Sequence, residues 1–280
     1  TYTETENELT VKANKRTFIF SKKDGQLKGV SVDNRKINFA NGPRFIGARR
    51  ADRSLDQFYN HDDEKAKEKD RTYSEFPDAA VFTKLDVKED GGNLVVTANY
   101  KLGNLDKAQW TINPSGELAL DYTYNFSGVV DLMGIRFDYP EDQVISKRWL
   151  GAGPYRVWQN RIHGTQYDVW ENDYNDPIPG ETFTYPEFKG YFGDVSWMNI
   201  QTKEGTISLT NEAPDAYIGV YQPRDGRDRL LYTLPESGIS VLNVIPPVRN
   251  KVNSTDLCGP SSQPKWVNGP QTGRVIFRFM

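Results

Sequence analysis

The stretch that decides the fold is residues 81–126, VFTKLDVKEDGGNLVVTANYKLGNLDKAQWTINPSGELALDYTYNF. Apolar and polar residues alternate through 81–87, and β-branched and aromatic residues dominate the segments that follow. The pair Gly91-Gly92 and the Asn-Pro-Ser-Gly run at 113–116 separate these segments. Alternation with a period of two between tight turns is typical of antiparallel strands joined by hairpins. We therefore predict an antiparallel sheet here.

The same pattern extends toward both ends of the chain. Before this stretch, short segments rich in Val, Ile and Phe flank the hairpin signals Asp24-Gly25 and Asp33-Asn34. After it, strand-like segments recur at 195–200, 206–210, 216–221, 238–244 and 274–279. Two stretches look irregular: 149–191, with aromatic residues between Gly, Pro, Asn and Asp, and 254–272, rich in Ser, Gly and Pro. Long loops on a β scaffold are where binding residues tend to lie.

Helical periodicity of useful length is absent from the sequence. Residues 60–71 are almost wholly charged, which predicts an exposed loop or a frayed helix with no apolar face to dock. A parallel sheet needs crossover connections, usually helices, so the sheets should be antiparallel. No internal repeat or linker-like composition divides the chain. We predict one all-β domain over residues 1–280, a β-supersandwich of two large antiparallel sheets packed face to face.

Composition excludes several function classes. The chain has 35 Lys and Arg against 38 Asp and Glu, and a net charge of -3 argues against binding to nucleic acid or to an anionic membrane surface. Lone Cys258 excludes an internal disulfide and a multi-cysteine zinc site. Acidic runs at 62–64 and 172–176 do not fit a calcium loop, so no metal and no cofactor are predicted. The chain begins at Thr1, which suggests a processed or excised piece.

The most distinctive motif is WLGAGPYRVWQNRIHG at 149–164. Two glycines and a proline predict a sharp turn after an apolar strand end. Aromatic rings can stack on the apolar face of a pyranose, while Arg, Asn and His side chains can hydrogen-bond to hydroxyl groups. The motif therefore predicts carbohydrate binding if its face is open. The other interpretation is that these residues pack against one another at a turn.

This motif also resembles a known family. Residues 150–154, Leu-Gly-Ala-Gly-Pro, with a following aromatic residue and Arg161, resemble the Gly-Pro-x-Glu-x-Tyr-x-Asp-Arg signature of the C-terminal, small-chain domain of family 2 β-galactosidases. The first hairpins through Gly42-Pro43-Arg44, and the stretches at 195–210 and 255–270, resemble parts of that domain in the same order. The resemblance implies a galactose-mutarotase-like fold. It also implies that the chain is the C-terminal part of a larger glycoside hydrolase.

The chain departs from the family signature at several positions. Arg156, Trp158 and Asn160 stand where the family has Glu, Tyr and Asp. The family's Trp-Arg-Ala-Pro run is here Ala-Arg-Arg-Ala-Asp at 48–52. These changes indicate a divergent branch, in which the sugar recognised can differ.

In the family that the chain resembles, the glutamates that cleave the glycosidic bond lie on a separate barrel, and this domain lends a tryptophan from its final loop to the sugar pocket. Trp266, in KWVNGP at 265–270, matches that tryptophan, although it could instead fill the core. Trp158, Arg161 and His163 are the other predicted carbohydrate contacts. The resemblance thus implies an accessory role, with an oligosaccharide or galactoside and a catalytic barrel as partners. We expect a periplasmic or extracellular location.

The other hypothesis is a stand-alone sugar-binding protein or an aldose mutarotase or epimerase. Mutarotation needs a general base and an acid, and mutarotases of this fold use Glu and His. The chain offers His61, in the charged stretch, and His163, in the motif, without a convincing base. Unaided hydrolysis would need two carboxyl groups about 5–9.5 Å apart, and pairs such as Glu171 and Asp173 arise by chance among so many acids. No catalytic residue is therefore predicted.

Overall fold

The computed structural model describes residues 1–50, 73–174, 190–213, 215–221, 235–247 and 259–280. Within these ranges the chain forms β-strands and two short 3-10 helices, Glu141–Gln143 and Pro260–Ser262, and no α-helix. The same ranges contain no helix that is long and apolar enough to cross a membrane. The all-β prediction is confirmed. The predicted charged loop or frayed helix at 60–71 lies outside the described residues.

Within the described ranges the first sheet has ten strands, and its ladders are antiparallel. Its strands are β1 (Tyr2–Glu4), β2 (Glu8–Ala13), β3 (Arg16–Ser21), β4 (Leu27–Val32), β5 (Arg35–Ile37), β6 (Ala40–Arg50), β7 (Tyr73–Glu75), β12 (Leu132–Asp138), β17 (Tyr217–Val220) and β18 (Ile239–Val244). They follow the order β1-β2-β3-β4-β6-β12-β18-β17, with β5 paired to β4 and β7 paired to β6.

The second sheet has nine strands among the residues that the structure describes, and it is also antiparallel. Its strands are β8 (Val81–Asp90), β9 (Asn93–Lys101), β10 (Leu105–Ile112), β11 (Leu118–Val130), β13 (Val144–Gly153), β14 (Gln166–Asp173), β15 (Trp197–Thr202), β16 (Gly205–Asn211) and β19 (Lys265–Phe279). They follow the order β14-β13-β15-β16-β19-β11-β10-β9-β8, so β8 and β14 are the edges.

The core lies between the two sheets. Aromatic rings from the inner face of one sheet meet rings from the other, and the residues involved are buried. The ring centroids of Phe45 and Tyr124 lie 5.5 Å apart, and those of Phe20 and Trp110 lie 5.9 Å apart. Tilted aromatic pairs at these distances add to the stabilisation from burial. The two sheets therefore pack face to face, as predicted.

Two of the predicted hairpins can be checked from their backbone angles. Gly91 and Gly92 have φ of 58° and 82° between β8 and β9, whose last and first residues pair directly. Asp33 and Asn34 have φ of 48° and 65° between β4 and β5. Positive φ at both central residues is the geometry that matches the twist of the flanking strands. Both hairpin predictions are confirmed.

The outer face of the first sheet is covered by the motif segment. Successive residues of a strand point to opposite faces, and Phe45 and Ile135 face the core while Ile46 and Leu132 face outward. A second group of buried residues, here called the outer cluster, forms on this face. It comprises Ile46, Ala48, Tyr73, Leu132, Val157, Trp158, Tyr191, Leu242 and Ile245. Residues of the 149–164 motif thus close over β6, β12 and β18.

Two segments predicted to be irregular are strands, which corrects the sequence analysis. Within 149–191, residues 166–173 form β14, and within 254–272, residues 265–272 belong to β19. β14 is an edge strand that is mostly exposed, so it lacks the apolar alternation that reveals buried strands. β19 contains Pro270, but its partner β16 reaches only residues 275–279. The first part of β19 is therefore an edge, where proline is tolerated.

Candidate functional site

The 149–164 motif begins in β13 and turns after Gly153. A Cβ at Gly153 would lie 2.4 Å from the indole of Trp170 on β14, so that ring fills the space a side chain would take. The Trp170 Nε1 donates to the carbonyl oxygens of Gly151 and Gln166, both at 3.2 Å. The indole therefore closes the end of the β13–β14 hairpin. The turn predicted from glycine and proline is present, and it directs the next residues onto the first sheet.

Trp158 lies in the outer cluster, away from solvent. Its side chain is 2% exposed, and its ring meets that of Tyr191 nearly edge-on at a centroid distance of 5.6 Å. Burial in this cluster raises the pKa of the Tyr191 phenol well above its ordinary value. Stacking on a sugar needs an open ring face. This position assigns Trp158 to packing, in contrast to the predicted sugar contact.

Arg161 and His163 lie on the exposed turn that follows Trp158. The Trp158 amide donates to the Arg161 carbonyl oxygen at 3.3 Å, and the Arg161 amide donates back to the Trp158 carbonyl oxygen at 2.9 Å. This pair of bonds closes a tight turn. Both predicted contact residues are exposed there, as is Ile162 between them. The turn is anchored by a buried tryptophan and presents polar side chains outward.

Two amide side chains connect this turn to the segment before β19. The Gln159 Nε2 donates to the carbonyl oxygens of Ser261 at 2.9 Å and Gln263 at 2.7 Å. The Asn160 Nδ2 donates to the Ser262 Oγ at 3.3 Å. These residues were not predicted as part of the site. About a hundred residues separate the partners, and no spacing rule relates them, so only the structure reveals the contact.

Trp266 lies at the start of β19 and is 72% exposed. It is not in a loop, as the resemblance implied, but on a strand opposite Val129 of β11. The β11–β19 ladder continues from Lys265 to Phe277. Next to it, the Ser127 Oγ contacts the Asn268 Oδ1 at 2.9 Å across the two strands. A large aromatic ring is thus exposed on a paired, regular backbone, so the core-filling interpretation of Trp266 is wrong.

One hydrogen bond, from Gln159 to the Gln263 carbonyl oxygen, connects the two chain segments that carry the exposed predicted site residues. The turn that contains Arg161 is hydrogen-bonded to Gln263, which lies shortly before Trp266 on the chain. Trp158 lies beneath this region rather than on it. Trp266 thus lies at the start of β19, and Arg161 and His163 lie on the turn that is hydrogen-bonded to the segment before β19.

Comparison with known proteins assigns the family. A family model described as the beta galactosidase small chain matches residues 12–251. The chain belongs to this family. The resemblance inferred from the 149–164 motif is confirmed at this level, and the small-chain match extends from β2 to beyond β18. No curated protein sequence matches the chain significantly.

Several solved structures align with this small-chain protein over nearly its whole length. A galactose 1-epimerase from Lactobacillus acidophilus NCFM shares 10% identity at a TM-score of 0.49, covering 100% of this chain and 98% of that chain. A galactose mutarotase-like protein from Lactobacillus casei ATCC 334 shares 12% identity at a TM-score of 0.44, covering 98% and 100%. An aldose epimerase homologue from C. elegans shares 6% identity at a TM-score of 0.42, covering 98% of each chain. These similarities concern the fold alone.

The exposed turn of the motif carries the guanidinium group of Arg161 and the imidazole group of His163. His163 is the one histidine in the described part of the chain, since His61 lies outside it. Within the same part, no group of three or more His, Cys, Asp or Glu side chains could hold a metal ion. The acidic run at 172–176, for which no metal was predicted, continues beyond the described residues. Exposed indole, guanidinium and imidazole groups suit stacking and hydrogen bonding to a polyol.

Proposed function

We propose that this chain is the saccharide-contacting accessory domain of a β-galactosidase-like glycoside hydrolase. In this proposal, residues 1–280 form one domain, the C-terminal part of a larger enzyme, and a separate catalytic barrel cleaves the glycosidic bond. The domain closes one side of the sugar cleft. The observation that supports this role most strongly is the exposure of Trp266 on the β11–β19 strand pair.

Trp266 is suited to stack on a sugar ring. Its indole is exposed, while its backbone is fixed by pairing with Val129, so little conformational freedom is lost when a ligand binds. An aromatic face supplies a broad apolar surface for the C–H groups of a pyranose. Arg161 and His163, on the turn that is hydrogen-bonded to the segment before β19, would hydrogen-bond to sugar hydroxyl groups. Trp158 supports this turn from below.

A surface for the catalytic barrel lies along the second sheet's edge. Tyr155, Ile162, Tyr167 and Val169 are large apolar residues that are all more than two-fifths exposed. They belong to the motif turn and to the edge strand β14. Exposed apolar residues that are close together along the chain often mark an interface. We therefore place the barrel against this edge, next to the turn that contains Arg161.

The remaining parts of the proposal follow from the family. The ligand would be an oligosaccharide or a galactoside, delivered to a cleft shared by the two domains. A periplasmic or extracellular location would suit an enzyme that acts on such substrates.

Activity measurements on two forms of the protein test the proposal. We expect the full-length protein that contains this chain to hydrolyse an aryl β-galactoside, and the purified 280-residue chain to show no hydrolysis. Pure α-galactose incubated with the 280-residue chain should change its optical rotation no faster than in buffer. Hydrolysis by the isolated chain would overturn the accessory role. A clear acceleration of mutarotation would instead favour an epimerase.

A further inference from the structure

A cavity lies on the first sheet, and Trp266 is not among its lining residues. It has a volume of about 770 Å³, and among the described residues it is lined by four basic side chains, including Arg44 and Arg136, by the acidic Asp138, Glu141 and Glu236, and by Ser237. We call it the arginine pocket. This volume is in the range of small-molecule sites. Arg136 lies four residues beyond Leu132 of the outer cluster on β12, which corresponds to roughly 13 Å along the strand. The pocket is therefore separate from the proposed sugar contacts.

The arginine pocket contains two arginines in direct cross-strand register. Arg44 on β6 pairs with Arg136 on β12. Like charges directly opposite each other on neighbouring strands are destabilising. Arg44 is compensated, because it forms an ion pair with Asp138, and its Nε donates to the Asn41 carbonyl oxygen at 2.8 Å. A carboxylate or other oxyanion between the two guanidinium groups would remove the remaining repulsion.

Arg136 is the less satisfied member of the pair. Its NH1 donates to the carbonyl oxygen of Glu236, a neutral acceptor. Its Nε is buried and has no hydrogen-bond partner among the described residues. Burial and the neighbouring Arg44 charge lower the pKa of the Arg136 guanidinium. The carboxylates of Glu75, Asp78 and Asp138 act in the opposite direction and only partly offset these two effects.

Ser237 supplies a second buried group without a partner. Its side chain is 2% exposed, and its Oγ makes no hydrogen bond within the described part of the chain. Buried polar groups are nearly always hydrogen-bonded, so such an atom beside a cavity points to a missing ligand or water. The serine hydroxyl and the Arg136 Nε can both donate to an oxyanion. Ser237 follows Glu236, whose carbonyl oxygen is the Arg136 acceptor, so the two groups lie on adjoining segments.

We propose that the arginine pocket binds an oxyanion group on a polyhydroxy ligand, such as the carboxylate of a uronic acid. Arg136 and Ser237 donate to the oxyanion, with Arg44 providing a second positive charge. Asn38 and Asn41, which also line the cavity, are polar groups of the kind that hydrogen-bond to ligand hydroxyls. Charge-assisted hydrogen bonds from Arg are among the stronger polar contacts in proteins. This site is independent of Trp266 and of the proposed accessory role.

Titration of the 280-residue chain by calorimetry tests this proposal. The probes are galacturonate, galactose 6-sulfate and galactose at the same ionic strength. We expect at least one of the two anionic sugars to bind about tenfold more tightly than galactose, because hydrogen bonds to charged groups are stronger. The tighter of the two identifies the ligand as carboxylated or sulfated. Equal affinity for all three sugars would overturn the proposal.

Variants then locate the binding. Arg136→Gln should reduce the affinity for the anionic sugar by about tenfold, and Ser237→Ala by about threefold. Arg148→Gln is the matched control, because Arg148 is an exposed arginine on β13 of the other sheet, and it should bind as the unmodified chain does. If Arg136→Gln fails to fold, the affinity of Ser237→Ala for the anionic sugar tests whether binding occurs in the arginine pocket. Unchanged affinity in Ser237→Ala and in a folded Arg136→Gln would overturn the assignment.

Discussion

Trp158 and Trp266 lie in two regions for which the sequence predicts the same role, although the structure gives the two side chains very different exposure. Both were predicted to contact sugar, yet one is 2% exposed and the other 72% exposed. Trp158 packs in the outer cluster, whereas Trp266 projects from a part of β19 that pairs, among the described residues, with β11 alone. The comparison shows that exposure here depends on the neighbouring strand and the covering segment, not on residue type or on motif membership.

The largest expected effect distinguishes the two tryptophans by stability. Trp158→Ala should lower the free energy of unfolding by about 3–5 kcal/mol, because a large cavity would form in the outer cluster. Trp266→Ala should change it by no more than about 0.5 kcal/mol, as expected for an exposed residue. Urea unfolding of both variants measures the difference. Equal losses of stability would contradict the assignment of the two residues.

The second prediction concerns saccharide affinity. Trp266→Ala should weaken galactoside binding to the chain by about tenfold, since an aromatic face contributes up to roughly 1.4 kcal/mol of stacking. Tyr2→Ala is the control, because Tyr2 is an exposed aromatic residue on β1 of the other sheet. Calorimetric titration with a galactoside compares the variants. If Tyr2→Ala and Trp266→Ala bind alike, Trp266 has no special role.

A smaller effect on stability and affinity is expected for Gln159, which connects the turn that contains Arg161 to the segment before Trp266. Gln159→Ala removes the two hydrogen bonds to the Ser261 and Gln263 carbonyl oxygens and should cost about 1 kcal/mol of stability. It should also weaken galactoside binding a few-fold, since Arg161 and Trp266 would lose their common support. Gln166→Ala, on the exposed edge strand β14, is the control for thermal unfolding and titration. A variant that loses stability with unchanged affinity would separate the turn from the binding region.

The smallest effect concerns the arginine pocket. Asp78 interacts electrostatically with Arg44 and Arg136, and burial raises the pKa of its carboxyl group. Asp78→Asn removes a negative charge near the proposed oxyanion, so affinity for the anionic sugar should rise about two- to threefold at neutral pH. Titration at low and high salt measures it, and the gain should shrink as salt screens the charges. A loss of affinity would show that Asp78 contributes to binding directly.

Much of the fold could be predicted from local patterns. The hairpins at Gly91-Gly92 and Asp33-Asn34 were recognisable because positive φ has a strong residue preference. β14 was missed because an exposed edge strand needs no apolar face, and the start of β19 was missed because its Gly and Pro residues suggested a loop. The partner of β14 is the neighbouring strand β13, whereas the start of β19 pairs with β11, which is more than a hundred residues earlier in the chain.

The candidate site was less predictable than the fold. The family signature identified the correct segment, but it could not separate the buried Trp158 from the exposed turn that holds Arg161. The arginine pocket was not predicted at all. Arg44 and Arg136 are brought together only by the β6–β12 register, which no local pattern reveals. The sequence alone does not predict which side chains on different strands lie next to each other.

The most direct test of the central claim is steady-state kinetics of the full-length protein that contains this chain, with and without Trp266→Ala. If Trp266 shapes the sugar cleft of a separate catalytic barrel, the KM for an aryl β-galactoside should rise about tenfold while kcat changes by less than about twofold. An unchanged KM in the folded variant would contradict the claim.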